Sequence, residues 1–563
     1  MPIIYKTKRI AIFLLSTLLA FSLFCQTNKL TIKDAVWGRF FQLKPEDLND
    51  IEWRNNNEFT FVKNNEIRYY NVTSHTFETL FTLSELNNIL KIKVKDSLFS
   101  IKNIEWINEN EFYIERYNKY YLINVNEKQL TNLIELPEKA ENIEICNSTG
   151  NIAYTLTNNV YYISRDNKQI AITHEENTEI VYGQAVHRHE FGINKGIFWS
   201  PDGNFIAFYR KDESMVTDYP LVNTKSRIAE LKNIKYPMAG MNSHEVTIGI
   251  YSLKNKAINY LKTGKPKDQY LTNICWAPNE KFLYVAHVNR DQNYMKLNKY
   301  NINNGYLVNT LFEERNEKYV EPLNPVYFIQ NQTGRFIWQS RRDGYNHLYL
   351  YQENDSIIKQ LTNGNWEVIK LLGSNSKYAY FTATKESPLD QHIYKVNINN
   401  SEIIKITNEK GIHLPIPNKN YTYIIDRFSN INVSNKINII NTSTFKAKDI
   451  ITSHNPLKDY NQVEIDISSL VTSDSVELFY RIIKPEYIDP KKKYPVIIYV
   501  YGGPHLQLIQ NNWLGGATLW DYYMAQEGYI IFSIDNRGSA NRGFEFESST
   551  FRKLGQMEMK DQL

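Results

Sequence analysis

Cysteine is scarce in this chain: three in 563 residues, at positions 25, 146 and 275. A disulfide framework is therefore excluded, and Cys146 and Cys275 read as buried free thiols inside strand-like runs. Charge of one sign is also missing. The 65 basic and 61 acidic side chains leave a formal net charge of +4 with no long single-sign block, so nothing points to nucleic acid. Long apolar runs are absent except one, Ile10 to Phe24, preceded by Lys6, Lys8 and Arg9. That run is short for a bilayer span and suits the apolar core of a signal peptide over residues 1–25. Cleavage near Cys25 is the expectation, with an uncleaved membrane anchor through residues 10–24 or a lipid-modified Cys25 as alternatives. The chain then reads as exported, to the periplasm or cell envelope.

Aromatic residues are abundant. They make up 13% of the chain, with 40 tyrosines, which fits half-buried strands. The length exceeds what one core fills, so at least two domains are expected. After an N-terminal segment over 26–50, a unit recurs from 51 to 460: an aromatic-bearing strand, a turn of Asn, Asp and Gly, two tyrosine-rich strands and a polar strand. IEWRNNNEFTFVKNNEIRYYNV, IEWINENEFYIERYNKYYLINV, FWSPDGNFIAFYR and ICWAPNEKFLYVAHV are four of about eight copies. Period-two alternation makes these strands, and repetition makes them blades of a β-propeller.

Two stretches interrupt the repeat. Between Arg210 and Val246 lies DESMVTDYPLVNTKSRIAELKNIKYPMAGMNSH, longer than a blade loop needs. Just upstream, VYGQAVHRHEFGINKG carries His187, Arg188, His189 and Glu190. The residues alone leave three readings: an exposed polar loop, a metal site, or a carboxylate aimed into a cavity to hold a cation. The metal reading is weakest, because alternate strand residues face opposite ways and zinc needs three convergent ligands.

From 461 to 563 the pattern changes. Val463 to Ile467 and Val476 to Ile483 read as antiparallel strands. Tyr494 to Tyr501 reads as a strand buried on both faces, Ala517 to Gln526 as a helix stopped by Gly528, and Tyr529 to Ile534 as a second buried strand. Strand, helix, strand means a parallel sheet, whose ligands bind at the strands' carboxyl ends. Both glycine-bearing loops, Gly502-Gly503-Pro504 and Gly538 to Gly543, fall there.

With VYGGPH, DNRGSANRG, HEFGINKGIFWSPDG and DESMVTDYPLV in hand, the chain from about residue 50 onward resembles the dipeptidyl peptidase IV subfamily of the prolyl oligopeptidase family, and within it the bacterial prolyl tripeptidyl aminopeptidases. The resemblance implies a mainly β fold, an eight-bladed propeller capping an α/β-hydrolase domain. It implies a serine exopeptidase acting on peptides with proline near the N-terminus, and commonly a homodimer; from the residues themselves no metal and no cofactor are expected. Tyr501 matches the family tyrosine that helps form the oxyanion hole, and Glu190 a family glutamate that binds the substrate's α-amino group. Where dipeptidyl enzymes present two adjacent glutamates, this chain has His189 followed by Glu190, which resembles the tripeptidyl version. Xaa-Xaa-Pro release is thus the first expectation and Xaa-Pro release the second. No G-x-S-x-G occurs in the 563 residues. The serine, aspartate and histidine of this class follow that point in the family order, so the hydrolase part is expected to be incomplete and the chain an inactive fragment. A non-catalytic propeller that binds peptides is the alternative.

Overall fold

The computed structural model describes residues 28–353 and 357–563. The expected signal segment, residues 10–24 and Cys25 lie outside the described residues, within which no helix is long and apolar enough to cross a membrane.

Eight antiparallel sheets follow one another along the chain, over residues 49–82, 104–135, 140–171, 180–260, 270–315, 327–360, 368–405 and 412–452. Seven have four strands in sequence order and the fourth has five. A lone four-stranded sheet has two faces to bury, and here each finds a neighbour. One apolar cluster joins the first and second sheets, through Phe81, Phe112 and Tyr121, and each later pair is joined by its own cluster. Another joins the eighth to the first, packing Ile425, Ile437 and Ile439 against Phe59, Phe61 and Tyr70. That last contact turns a row of sheets into a closed ring, an eight-bladed β-propeller.

The tryptophan of the repeat has a specific task. Trp53, Trp199 and Trp276 donate their indole N–H to main-chain oxygens of the preceding blade, at Ile416 (2.9 Å), Glu144 (2.9 Å) and Phe198 (3.1 Å). Trp106 instead donates to the Thr60 hydroxyl, 2.8 Å away. Each indole therefore satisfies its single donor across the blade interface, with Trp106 and Trp276 buried and Trp53 and Trp199 half-buried. Across the closure, Asn418 and Asn435 add bonds to the carbonyls of Asn56 (2.8 Å) and Glu46 (2.7 Å).

Residues 463–534 form a separate sheet, ordered Val463–Val471, Glu477–Pro485, Ile530–Ile534 and Val496–Ile498. The last two run parallel, joined by helix Leu519–Gln526, which Thr518 and Asp521 cap reciprocally. The parallel strand–helix–strand unit read from the sequence is present, as the opening of an α/β-hydrolase sheet. One expectation is corrected. The strand read over Tyr494 to Tyr501 is only Val496–Ile498, and it is not buried on both faces: Val496 is 54% and Ile498 59% exposed. It lies at the sheet's edge, where Ile497 faces the core shared with Ala525 and Ile531 while Val496 and Ile498 face away from it. The chain before the propeller belongs to this part too, since Leu30 and Leu43 pack with Leu457, Leu519 and Tyr522.

Ring closure should carry a measurable share of stability. Ile437→Ala, at a fully buried position of the closing cluster, is expected to lower unfolding free energy by about 2–5 kcal/mol in urea titrations; a loss below about 1 kcal/mol would mean that the ring does not depend on this contact.

Candidate active site

The hydrolase part rests on loops of the fifth to eighth blades. Lys318 donates to the Ser548 hydroxyl at 2.8 Å, Phe544 N–H to the Gly344 carbonyl at 2.8 Å, and Asn511 binds Leu389 and Asp390 at 2.9 and 2.7 Å. Gly543 has φ +87°, and a Cβ there would fall 2.8 Å from the Tyr345 ring, so only glycine lets the DNRGSANRG loop approach the propeller this closely.

The two glycine-bearing loops hold each other. Asp535, at the end of strand Ile530–Ile534, accepts from the main-chain N–H of Leu508 (2.8 Å) and Ile509 (3.1 Å). Burial pushes its carboxyl up to about 6, against those two bonds. His505 N–H donates to the Gly538 carbonyl at 3.1 Å. Arg537 is clamped by Asp561, which accepts from its main-chain N–H at 2.8 Å and from its guanidinium. Tyr501 sits at the start of the first loop, 52% exposed, its ring laid against Gly503, where a Cβ would come within 3.0 Å of it.

On the propeller side, Glu190 stands on a tight turn, His187–Gly192. Four non-glycine residues there have left-handed backbones: His187 (φ 53°), Arg188 (55°), His189 (64°) and Phe191 (55°). Each such residue costs of order 1–3 kcal/mol and persists only where packing imposes it. The packing is visible. Phe191 is buried edge-on against Tyr270 and its carbonyl accepts from Thr272. His187 is buried between His244, Nδ1 to Nε2 3.1 Å, and Tyr270, and its Nε2 accepts from Leu271 N–H at 3.3 Å. Gly192, at φ +73°, lies so close to the Leu323 carbonyl that a Cβ would be 2.3 Å from it. With both flanks pinned inward, Glu190 is turned out. The histidines are not brought together as ligands: His187 is buried, while His189 is exposed and meets the Ile193 carbonyl at 3.2 Å. The long insertion, whose core is the hairpin of Asp218–Asn223 and Glu230–Lys235, reaches the same turn, for Arg188 bonds the Lys235 carbonyl and lies 4.1 Å over the Tyr236 ring.

Glu190 and the loop after Tyr501 share one cavity. It measures about 280 Å³ and is lined by Glu190, Tyr319 and Glu321 from the propeller and by Pro504, His505 and Phe551 from the hydrolase part, among others. Tyr501 itself does not line it. Sequence reading missed Glu321, 131 positions from Glu190. Burial first, then the charges of Glu547 and Glu190, push the Glu321 carboxyl above the ordinary range, with His505 and Arg341 partly offsetting. Behind it, Arg341 grips Glu547 with both terminal nitrogens, one bond at 3.1 Å. Glu321, His505 and Glu547 place one ligand atom each within 4.8 Å of one another, but a metal ion there would abut the Arg341 guanidinium, so the chemistry of the set is that of an ion-pair network. Cys146 and Cys275 are free thiols.

Comparisons agree with this layout. Residues 104–435 match the family model for the dipeptidyl peptidase IV N-terminal region and residues 519–563 that of the prolyl oligopeptidase family. A Bacteroides ovatus ATCC 8483 crystal structure, provisionally named dipeptidyl aminopeptidase IV, superposes with TM-score 0.90 at 39% identity, covering 95% of this chain and 78% of that one. Porphyromonas gingivalis dipeptidyl peptidase 4 shares the fold, with TM-score 0.82 at 23% identity over 95% of this chain and 78% of its own. Among curated relatives, dipeptidyl peptidase 8 of Mus musculus is 24% identical over 510 residues, 73% of this chain and 56% of its own length. The protein named "Probable dipeptidyl-aminopeptidase B" of Arthroderma otae is 27% identical over 450 residues, 73% and 49% respectively. The chain spans about half the length of the curated relatives it matches.

Burial lowers both histidines under the turn, His187 well below its ordinary value and His244 to about 4, with the charges of Lys211 and Arg290 adding to the effect. A histidine depressed on folding gives stability that is complete above its unfolded value of 6.5 and is lost as pH falls toward 4. Hydrogen exchange at residues 187–193 should therefore lose protection between pH 7 and about 4 while the blade strands keep theirs; constant protection across that range would contradict the packing described.

Proposed function

We propose, from the premise that the chain belongs to the dipeptidyl peptidase IV family of prolyl oligopeptidases, that it is the amine-recognising part of an exported serine exopeptidase that removes a short proline-ended peptide from the N-terminus of its substrate. The single observation that carries the reading is the shared cavity: Glu190 on a rigid propeller turn faces the loop that begins at Tyr501 on the hydrolase part. A peptide's α-ammonium held at Glu190 places a fixed number of residues before the scissile carbonyl, and a donor at Tyr501 answers the charge that develops on that carbonyl's oxygen. An endopeptidase has no use for an amine clamp.

The length removed is two or three residues. One glutamate in the HRHE turn favours Xaa-Xaa-Pro. Glu321 supplies a second carboxylate to the same cavity from another blade, and the relatives are named for dipeptidyl activity, both of which favour Xaa-Pro. Turnover needs a nucleophile that no G-x-S-x-G supplies within the 563 residues, so these residues by themselves bind and do not cleave.

Calorimetry with peptides beginning Xaa-Pro or Xaa-Xaa-Pro tests the clamp. The free-amine peptide should bind, and N-acetylation or Glu190→Gln should each weaken it about 10- to 100-fold, the weight of one charge-assisted bond; equal affinity for acetylated and free peptides would overturn the reading. Incubated with the matching chromogenic substrates, the 563-residue chain should release no product, and steady hydrolysis that survives further purification would refute the binding-only proposal.

A further inference from the structure

The loop that begins at Tyr501 has a weak stretch. Tyr499 N–H is tied to the Phe532 carbonyl at 2.9 Å, and the next bond along the chain is His505 N–H to Gly538. Among the described residues, no hydrogen bond holds 501–504, which include Gly502 at φ +73°. The position of Tyr501 thus depends on where His505 is fastened.

The His505 side chain lies at ion-pair distance from carboxylates in two different domains. Nδ1 lies 3.1 Å from a Glu547 carboxylate oxygen in the hydrolase part, and Nε2 lies 3.5 Å from a Glu321 carboxylate oxygen in the propeller. The other groups facing it are Arg341, which grips Glu547, the Tyr319 ring at 6.4 Å, and Glu190 and Arg552 around the shared cavity. Each ring nitrogen faces one carboxylate, and both nitrogens carry a proton only in the charged ring. A neutral ring satisfies one carboxylate and abandons the other.

We propose that His505 is a positioning residue that holds the Tyr501 loop to the propeller wall carrying Glu321, and so fixes the separation between the amine clamp and the oxyanion donor. The inference rests on the exopeptidase reading for its purpose, but the tether stands on geometry alone. The bond to Glu547 raises the ring above the ordinary imidazole value, against the pull of burial, and the charge of Glu321 adds to it. A histidine raised on folding contributes below its unfolded value and loses that contribution as pH rises through the raised one. The bridge is closed at mildly acidic pH and opens on the alkaline side.

Two measurements on the full chain decide the matter separately. In the first, hydrogen exchange without peptide, corrected for intrinsic rates, is followed at the His505 amide, which donates to the Gly538 carbonyl, from pH 6 to 9. Protection in the wild type should fall about tenfold, and His505→Gln and Glu321→Gln should each show the low level throughout; a flat wild-type profile, or variants that match the wild type at pH 6, overturns the tether. The second compares the Kd of a free-amine Xaa-Xaa-Pro peptide for wild type and His505→Gln over the same range, so that the peptide's own amine titration cancels in the ratio. The variant should bind about tenfold more weakly at pH 6 and converge on the wild type by pH 9. A ratio independent of pH overturns the role in positioning. Peptide that fails to bind either protein, with the exchange profile as expected, refutes the exopeptidase reading and leaves the tether in place.

Discussion

The Arg341–Glu547 pair is the contact on which the site depends. It joins a propeller blade to the hydrolase part through a bidentate bond whose carboxylate is only 2% exposed. Burying such a pair costs desolvation that a lone ion pair does not recover. The cost is offset because Glu547 has a second partner in His505, and Arg341 a second carboxylate, Glu321, 3.8 Å away. Against the upward pull of burial, His505 and Arg341 hold Glu547 below the usual carboxylate range. What the network secures is geometry: it sets the spacing between a turn on one domain and a loop on the other, and that spacing is what the proposed amino-terminal ruler requires.

A ruler also needs a rigid far end. The turn bearing Glu190 has four left-handed non-glycine residues in five positions, an arrangement an isolated peptide would relax. It is sustained by two buried rings, His187 and Phe191, set against Tyr270 on the next blade. That blade is in turn fixed by a ring whose eight interfaces are each filled with apolar side chains and whose last interface, between the eighth blade and the first, returns the chain to its starting point. Strain at the site is thus carried by packing distributed around the propeller.

Much of this was legible in the sequence, and the rest was not for physical reasons. Blades were readable because each is a local unit with period-two alternation, and four of the eight carry a tryptophan at a fixed place; Trp53, Trp106, Trp199 and Trp276 all bond to the blade before. Helix Leu519–Gln526 was readable from its spacing and its stop at Gly528. Strand burial at 494–501 was misread, because an apolar run shows what a strand can bury and not which neighbours it has. Glu190 and Tyr501 stood out through their motifs. Glu321, His505 and Glu547 did not, because they converge from positions far apart in the chain and none has a local signature. His187 looked like one of several polar loop residues, and only the fold shows it buried against His244 and Tyr270.

A crystal structure of the chain soaked with a free-amine peptide beginning Xaa-Xaa-Pro tests the central claim most directly. The account predicts the α-ammonium within hydrogen-bond distance of the Glu190 carboxylate, with the chain running from the propeller toward the loop of Tyr501. A peptide bound with its amine away from Glu190, or running in the opposite direction, would contradict it.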